Sequence, residues 1–364
     1  MPTEQTPKTI VSMKDIADRC GVSVMTVSRA LGNKGRISPE TAGHIRAVAV
    51  EMGYDASTQQ VARRLTQRRT GIRVPNDLVG LCYPEQFYNT NYFLAIFEGI
   101  MEIFTAEKIG VLISYTYSPL SNSKNKFFLP NSYMHGDADG VLVIAKTDWL
   151  NGIVSTLRAT ANFASRPIIS MMKKHPGCSS VRADDAAGTL AIVNHLLDLG
   201  HRHIGYIHEE LDEPYHSRAS IYRKAFHEYG LNPDHYLHKV DLDIAVPADR
   251  RLIAPIQKTL EQFPAITALI TNHDQQALLA REIVEKLGKR VPDDFSVTGF
   301  DDSEVMLDQQ GHNILTTVCV PLVDIGREAA RLMLRRISGD EEQDTDIVLP
   351  TSLVVRGSTA PPPR

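Results

Sequence analysis

The sequence lacks the features that would place the chain in a membrane, in a secretory route or among disulfide-stabilised scaffolds. No stretch approaches the roughly 18 consecutive apolar residues of a membrane-spanning helix. The opening MPTEQTPKTIVSM contains no apolar segment of the kind that a secretory signal requires. The four cysteines, Cys20, Cys82, Cys178 and Cys319, match no zinc or disulfide spacing. We therefore expect a cytoplasmic protein whose cysteines are reduced and serve as small buried hydrophobic residues.

Enzyme motifs are also missing. The sequence has no P-loop, no glycine-rich dinucleotide fingerprint and no serine in a nucleophile elbow. The adjacent carboxylates Asp301 and Asp302 have the residue types of a catalytic pair, but two carboxylates directly after a strand more often cap the following turn. The sequence therefore predicts no cofactor and no enzymatic activity.

Charge is divided unevenly along the chain. Residues 1–74 contain 12 Lys and Arg against 6 Asp and Glu, a net charge of +6, whereas the remainder contains 27 against 37, a net charge of −10. A basic N-terminal part on an acidic body indicates that the N-terminal part meets a polyanion.

Three short helices are predicted within the basic part, each with an apolar stripe at helical spacing. Gly21 supplies the turn between the first two helices, Ser23 is suited to cap the second, and Ser38-Pro39-Glu40 is suited to start the third. The predicted stripes are Met13, Ile16 and Ala17; Val27, Ala30 and Leu31; and Thr41, Ile45, Val48, Ala49 and Met52.

A tight turn between short helices is typical of a helix-turn-helix module, whose second helix enters the DNA major groove. The segment MKDIADRCGVSVMTVSRALGNKGRISPETAGHIRAVAVEMGY resembles the DNA-binding headpiece of the LacI/GalR transcription regulators. It contains, in order, the family's KD[IV]A, GVS and TVSR motifs.

The resemblance assigns roles to residues on and around the second helix. Val24 and Met25 would choose the base sequence by van der Waals contact, unless they are simply exposed apolar residues. Arg29 would donate to O6 and N7 of a guanine. The residues that would contact phosphates or the groove wall are Ser12, Ser23, Thr26, Ser28, Ser38, Thr41 and Tyr54.

The segment after Tyr54, DASTQQVARRLTQRRTGIRV, is either a solvated basic linker or a hinge. In the family this stretch becomes helical only on DNA, and two such helices from a dimer enter the minor groove. VARRL resembles the family's hinge motif, so Leu65 would insert between base pairs, Ala62 would make the close helix contact and Arg63 would join the DNA-binding residues. Ala56 replaces the usual proline, and the half-site spacing stays open.

From about Leu78 onward, short apolar runs alternate with amphipathic helical patterns. This alternation predicts an α/β fold with doubly wound parallel sheets and helices on both faces. The predicted strands are 78–83, 110–116, 140–145, 167–171, 203–208, 268–271 and 295–300, and the predicted helices are 93–108, 186–199, 217–229, 250–263 and 274–287.

Segments such as NYFLAIFEGIMEIFTAEKIG and VPDDFSVTGFDDSEV resemble the body of the same family. That body has the two-lobed fold of periplasmic sugar-binding proteins, with a ligand cleft between the lobes. The resemblance implies a headpiece at 1–55, a hinge at 56–76 and a body at 77–364. It places the first lobe at about 77–182 and 320–338 and the second at about 183–319 and 346–356, with chain crossings near Arg182, Val320 and Ile347.

The resemblance also places an effector at the carboxyl ends of the strands, where open α/β sheets bind ligands. Arg218 and Asp301 match family positions there, and they suit a polyol because a carboxylate accepts from hydroxyls and a guanidinium donates to them. The other predicted effector residues are Asn91 and Phe93 at the mouth of the first lobe, and His273 and Asp274 in the second lobe.

Several positions near the cleft differ from the family pattern. His273 replaces an asparagine, and Val320 and the pair Met171-Met172 replace polar residues. The identity of the effector therefore stays open. The histidines of GHRHIGYIH could be metal ligands, but the resemblance makes them residues at the start of a strand.

Taken together, the sequence predicts a sequence-specific DNA-binding transcription regulator, most often a repressor in this family. It would bind a pseudo-palindromic operator as a homodimer and respond to a sugar or sugar derivative. A solute-binding protein and a sugar-active enzyme on the same two-lobed fold are the alternatives. The headpiece argues against the first alternative, and the missing catalytic constellation argues against the second.

Overall fold

The protein is described by a computed structural model, which covers residues 11–31, 37–52, 54, 75–83, 90–115, 129–134, 136–144, 147–161, 163–208, 218–241, 252–341 and 343–363. The chain divides into two compact units, Met1–Asn76 and Asp77–Arg364, and each has its own hydrophobic core.

The first unit is a small three-helix module. Its helices are α1 (Met13–Cys20), α2 (Val24–Leu31) and α3 (Pro39–Glu51). The predicted apolar stripes are confirmed, because Ile16 and Ala17, Val27 and Ala30, and Ile45, Val48 and Ala49 are all buried together. Gly21 adopts a φ of 63°, a left-handed conformation that glycine reaches without steric cost, and this allows the tight turn between α1 and α2.

The second unit is built from parallel strands and amphipathic helices. Its strands are β1 (Leu78–Tyr83), β2 (Gly110–Tyr115), β3 (Gly140–Val143), β4 (Ile168–Ser170), β5 (Ser179–Ala183), β6 (Ile204–His208), β7 (Leu237–Asp241), β8 (Ala268–Ile270), β9 (Ser296–Thr298), β10 (Thr317–Cys319), β11 (Asp346–Leu349) and β12 (Ser352–Val354). Its helices are α4 (Thr90–Ala106), α5 (Asn131–Met134), α6 (Thr147–Ala159), α7 (Asp185–Asp198), α8 (Arg218–Glu228), α9 (Pro233–Tyr236), α10 (Ile253–Gln262), α11 (Asp274–Lys286) and α12 (Leu322–Ser338).

The first lobe contains a parallel sheet in the order β2-β1-β3-β4-β5-β11. Alternate strand residues face opposite sides, so Leu142 packs with α4 and α12 while Val141 and Val143 pack with α5 and α6. A sheet covered on both faces explains why these strands are continuous apolar runs.

The second lobe repeats the arrangement with a parallel sheet in the order β7-β6-β8-β9. Helices α7 and α8 cover one face, and α10 and α11 cover the other. In both lobes the strand order reverses beside the first strand, between β1 and β3 and between β6 and β8. Such switch points open a crevice at the carboxyl ends of the strands.

The prediction that residues 346–356 belong to the second lobe is wrong for the first part of that range. Strand β11 pairs in parallel with β5 in the first sheet, and the Arg182 guanidinium binds the Asp346 carboxylate with two hydrogen bonds of 3.0 and 2.9 Å. Strand β12 pairs instead with β10, so the chain changes lobe at Pro350–Thr351. Hydropathy did not reveal this partner because β11 is half exposed and its pairing depends on backbone hydrogen bonds.

The predicted strands and helices of the body are confirmed within a few residues at each end. The strands that the sequence did not predict are β5, β7, β10, β11 and β12. Segments such as SSVRA and LHKVD mix polar and apolar residues, because they lie toward sheet edges or in the connections between lobes.

Candidate DNA-binding surface and interlobe site

Helix α2 presents the predicted base-reading residues on its exposed side. Ser23 precedes the helix, and its hydroxyl oxygen accepts a hydrogen bond from the Thr26 backbone N–H at 3.1 Å. Val24 and Met25 follow with exposed fractions of 43% and 63%, large for apolar side chains. Arg29 is also exposed, one helical turn further along. These side chains therefore face away from the headpiece core and form a ridge that a DNA groove can accept.

The buried side of α2 is held by the neighbouring helix. Val27 and Ala30 pack into the core, and the Arg46 guanidinium of α3 donates to the Ala30 carbonyl oxygen from Nε at 3.2 Å and from Nη2 at 3.0 Å. These bonds satisfy a carbonyl at the C-terminal end of α2, where intrahelical partners are missing. The short helix thus gains an orientation that its own length would not provide.

Most predicted phosphate-contacting hydroxyls lie at helix starts. Ser12 forms a capping box with Asp15, in which the Asp15 carboxylate accepts from the Ser12 backbone N–H at 2.7 Å. Ser38 caps α3 through the Thr41 backbone N–H at 3.1 Å. Ser28 lies exposed on α2, and Tyr54 follows α3 with its N–H bonded to the Ala49 carbonyl at 2.8 Å. The predicted hinge residues Ala62, Arg63 and Leu65 lie outside the described residues.

In the body, the predicted effector residues Arg218 and Asp301 lie together at the carboxyl edge of the second sheet. The Arg218 Nη1 donates to the Asn272 carbonyl oxygen at 2.6 Å, and its Cζ lies 3.6 Å from the centre of the Phe300 ring. Its Nη2 lies 3.8 Å from Asp185 Oδ1. Stacking on an aromatic face and a carbonyl acceptor hold the guanidinium plane in one orientation.

Asp301 is the most unusual residue of this edge. It is buried, with 8% exposed, and its φ of 107° is one that non-glycine residues rarely adopt. No described residue donates a hydrogen bond to its carboxyl oxygens. Burial raises the pKa of Asp301 well above its usual range, while the Arg218 charge acts in the opposite direction. A largely buried carboxyl that accepts no hydrogen bond from the described residues can accept one from a bound hydroxyl.

The first lobe faces this pair with Tyr92, which the sequence analysis missed. Burial raises the pKa of the Tyr92 phenol, the charges of Asp301 and Asp185 raise it further, and the Arg218 charge lowers it. Sequence reasoning chose the two neighbours of Tyr92. Successive helical residues point about 100° apart, so one of three consecutive residues faces a given direction. Only the packing of α4 decides which one.

Those neighbours, Asn91 and Phe93, make other contacts. The Asn91 Nδ2 donates to Glu304 Oε1 at 3.0 Å and so links α4 of the first lobe to the loop after β9 of the second. Phe93 is buried and stacks on Tyr83 with ring centroids 4.0 Å apart. The structure does not bring Phe93 beside Asp301, and the effector role of both residues stays a prediction.

His273 and Asp274 begin α11 and are engaged within the second lobe. The His273 ring accepts from the Gln276 backbone N–H as the helix cap. The buried Asp274 carboxylate accepts from Thr317 Oγ1 at 2.5 Å and from the backbone N–H groups of Ser303 at 2.7 Å and Glu304 at 3.3 Å. Burial raises the pKa of Asp274 to about 6, against the effect of these hydrogen bonds. Asp274 therefore holds the loop that follows Asp301.

His201, at the histidine-rich start of β6, is hydrogen-bonded within the protein. His201 is buried, with Nδ1 2.8 Å from Thr267 Oγ1 and Nε2 within 3.0 Å of Ser296 Oγ and of the Ala360 carbonyl oxygen. Burial lowers the pKa of His201 to about 4. Across the described ranges, no group of three or more His, Cys, Asp and Glu side chains is arranged to bind a metal ion. No helix in those ranges is long and apolar enough to cross a membrane.

Known protein families match each of the two structural units. Residues 12–57 match the family model described as bacterial regulatory proteins, lacI family, and residues 193–359 match that of the periplasmic binding protein-like domain. The chain is 27% identical over 354 residues to the HTH-type transcriptional repressor CytR of Escherichia coli (strain K12), covering 97% of each protein. It is 29% identical over 367 residues to the HTH-type transcriptional regulator DegA of Bacillus subtilis (strain 168), covering 95% of this chain and 97% of DegA.

Solved structures share the fold along almost the whole chain. The transcriptional regulator CelR–cellobiose complex superimposes with a TM-score of 0.63 at 23% identity, covering 96% of this chain and 99% of CelR. The lac repressor dimer bound to operator and the anti-inducer ONPF does so with a TM-score of 0.63 at 21% identity, covering 97% and 100%. With its helix-turn-helix headpiece and its two-lobed parallel α/β body, the chain belongs to the lacI family of bacterial regulatory proteins and is a DNA-binding transcription regulator.

Proposed function

We propose that this regulator is a repressor that binds a pseudo-palindromic operator as a homodimer and responds to a carbohydrate effector bound between the two lobes of its body. The observation that carries the effector assignment is the Asp301 carboxyl. The residue is 8% exposed, interacts electrostatically with the Arg218 guanidinium and accepts no hydrogen bond from any described residue. An effector hydroxyl can donate to Asp301 and a neighbouring hydroxyl oxygen can accept from Arg218, as two adjacent hydroxyls of a sugar would.

The first lobe completes this site with an aromatic face. Tyr92 interacts electrostatically with Asp301 and Arg218 from the opposite side of the cleft. Phenol rings pack against the apolar face of a sugar ring, and the phenolic hydroxyl adds a polar contact. A ligand that touches both lobes binds with different affinity to different lobe arrangements. Its binding therefore shifts the population toward the arrangement that it binds more tightly.

The DNA assignment depends on α2. Val24 and Met25 would contact base edges without hydrogen bonds, and Arg29 would donate to a guanine. The serine and threonine hydroxyls at the helix starts would position the module on phosphates. We propose the same for the hinge, with Leu65 as the residue inserted between base pairs, Ala62 at the helix contact and Arg63 on the DNA.

Named relatives support the proposal in both halves. CytR is called a repressor, the lac repressor structure is a dimer bound to operator, and CelR is in complex with cellobiose.

The alternative functions account for less of the chain. A solute-binding role would leave the DNA-binding headpiece without a function. An enzymatic role would need a catalytic constellation, and the sequence contains neither a P-loop nor a serine in a nucleophile elbow. We propose that the protein is not an enzyme and acts in the cytoplasm, where it meets its operator.

The effector half is tested by a thermal-shift screen of the purified chain against monosaccharides, disaccharides, sugar acids and sugar phosphates. A compound at 100 times its Kd stabilises the native state by about 2.7 kcal/mol, which shifts the unfolding temperature by a readable amount. We expect at least one compound to stabilise the wild type and to lose its effect in Asp301→Asn and in Arg218→Ala. A screen with no hit would contradict the carbohydrate effector.

The DNA half is tested independently by selecting bound fragments from a random DNA library. We expect a pseudo-palindrome whose half-sites change in sequence, but not in overall symmetry, when Met25 is replaced by Gln. The matched control is Val50→Gln, because Val50 is an exposed apolar residue on α3. Selected sequences without two-fold symmetry would contradict the homodimer.

The two halves of the proposal are linked thermodynamically. If the effector weakens operator binding by a given factor, then DNA-bound protein must bind the effector more weakly than free protein does, by the same factor.

A further inference from the structure

Asp301 and Asp302 have backbone conformations that are strained for residues other than glycine, so neighbouring parts of the protein must stabilise them. Both have positive φ values, 107° and 55°, although neither is glycine. Such a conformation is strained in a residue other than glycine and persists only where the surrounding structure determines it. The site residue Asp301 thus depends on contacts outside its own segment.

Part of that support comes from the chain's last strand. The Arg356 guanidinium follows β12 and binds the Asp302 carboxylate through both oxygens, at 2.8 and 3.1 Å. The same Nη1 donates to the Leu315 carbonyl oxygen at 2.8 Å. The pair is largely shielded, with 23% and 20% of the two side chains exposed. A paired fork of this kind fixes direction as well as distance.

The Arg356 segment is itself anchored. Its backbone N–H donates to Thr316 Oγ1 at 2.9 Å, and Thr316 Oγ1 donates to the Arg356 carbonyl at 3.0 Å. Two residues later, Ser358 is fully buried and donates from Oγ to the Val297 carbonyl at 2.7 Å. The backbone of Arg356 is therefore held in place, and its guanidinium reaches from there to Asp302, the residue next to Asp301.

We infer that Arg356 is a positioning residue for effector binding: its fork on Asp302 holds the left-handed turn that directs the Asp301 carboxyl into the cleft. This inference rests on the proposed function, because it takes Asp301 as an effector ligand. The guanidinium hydrogen bonds of Arg356 given above are all to Asp302 and Leu315, and its charge also acts on Asp274. A lysine at 356 would keep the positive charge but could not bind both carboxylate oxygens in one plane.

The first arm of the test needs no effector. Amide hydrogen exchange is measured on the full chain for wild type and Arg356→Lys. The reporters are the N–H groups of Asp301, Ser303 and Glu304, which are bonded to Val318 and Asp274. We expect roughly ten-fold faster exchange at these amides in the variant, confined to residues near 299–304, because the turn opens locally more often.

Arg182→Lys is the matched control for exchange. Arg182 binds Asp346 with an equivalent fork at 3.0 and 2.9 Å and similar exposure, but it lies in the first sheet. We expect it to leave exchange at 301–304 unchanged. Equal exchange in wild type and Arg356→Lys would overturn the inference, and so would faster exchange spread over the whole second lobe, which would indicate a general structural role.

The second arm measures Kd by calorimetry for D-ribose, D-glucose, D-gluconate and cellobiose. For a probe that binds the wild type, we expect roughly ten-fold weaker binding in Arg356→Lys and unchanged binding in Arg290→Lys, whose fork on Asp294 lies on the exposed surface of the same lobe. Unchanged affinity in Arg356→Lys, with lost affinity in Asp301→Asn, would overturn the inference alone. Unchanged affinity in Asp301→Asn, or no binding of any probe to the wild type, would overturn the carbohydrate site on which the inference rests.

Discussion

The buried polar side chains of the second lobe differ in how their hydrogen-bonding groups are satisfied. His201 and Asp274 are satisfied within the protein, the first by Thr267, Ser296 and Ala360 and the second by Thr317 and two backbone N–H groups. Asp301 has no described donor. A satisfied buried group stabilises one conformation, whereas a group without a partner is available to a ligand. This distinction, and not residue type, separates the structural from the candidate binding carboxylates.

His201 leads to a prediction on pH and stability. Burial lowers its pKa to about 4 from an ordinary value of 6.5, so the unfolded chain binds a proton more readily than the native protein does between these values. The contribution of His201 to stability is therefore complete above pH 6.5 and falls as the pH drops towards 4. Because one pKa unit corresponds to about 1.4 kcal/mol, the loss by pH 4 is about 3 kcal/mol.

Urea unfolding of wild type and His201→Gln between pH 4 and pH 7.5 checks this prediction. Glutamine offers a donor and an acceptor but does not titrate. Asp274, whose pKa is raised to about 6, contributes with the opposite sign in part of this window, so the informative quantity is the difference between the two proteins. We expect this difference to shrink as the pH falls, and a constant difference would contradict the assignment.

At the scale of elements, α4 and α12 approach each other through glycine. A Cβ added at Gly99 would lie 1.9 Å from the Val323 carbonyl oxygen, and one added at Gly326 would lie 2.1 Å from the Ile96 carbonyl oxygen. Both contacts are with backbone atoms, which cannot move without separating the helices. The two glycines thus set the distance between α4, which presents Tyr92, and α12, which returns the chain from the second lobe.

Gly326→Ala is expected to destabilise the body by roughly 1–3 kcal/mol or more, because the extra methyl overpacks a close helix contact. Gly43→Ala in α3 is the control, since nothing lies within 4 Å of a Cβ there and alanine favours helices. Thermal unfolding followed by circular dichroism distinguishes them. A Gly326→Ala protein as stable as the wild type would show that the helices separate at little cost.

Capping of α2 is a second property at this scale. Ser23→Ala removes the acceptor for the Thr26 N–H and is expected to cost the headpiece roughly 1 kcal/mol. Amide exchange of Thr26 and Val27 should increase several-fold, and operator affinity should fall with it. Ser28→Ala, on an exposed position of the same helix, should leave this exchange unchanged. If both variants behave alike, the Ser23 hydroxyl does not serve as the cap.

For the whole molecule, the division into Met1–Asn76 and Asp77–Arg364 predicts separable activities. A fragment beginning at Asp77 contains both sheets and their cores, so we expect it to fold and to keep any thermal shift that a carbohydrate produces in the full chain. It should not bind the selected operator, because α2 is absent. Differential scanning fluorimetry and gel-shift assays check the two halves, and a fragment that fails to unfold cooperatively would show that the body depends on the headpiece.

Contact between the lobes is also a property of the whole body. Asn91 of the first lobe and Glu304 of the second are joined by one exposed hydrogen bond of 3.0 Å. A single exposed bond is worth about 1 kcal/mol or less, so lobe motion is not prevented by it. The larger constraint on the lobe arrangement is the hydrophobic core cluster that has members in both lobes, among them Leu142 of the first and Leu196 of the second.

Local signals in the sequence determined the headpiece and the order of elements. Spaced apolar residues such as Ile16, Ala17 and Val27, the caps Ser12, Ser23 and Ser38, and the apolar runs of the sheets depend on neighbours within a few residues. Only the tertiary structure decided three features. They are the lobe to which β11 belongs, the fact that Tyr92 and not its neighbour Asn91 or Phe93 faces Asp301 and Arg218, and the hydrogen bonds by which Arg356 holds the turn at Asp301 and Asp302. Each depends on a partner distant in the chain, because hydrogen-bond pairing and helix rotation are set when elements pack together and leave no periodic pattern behind.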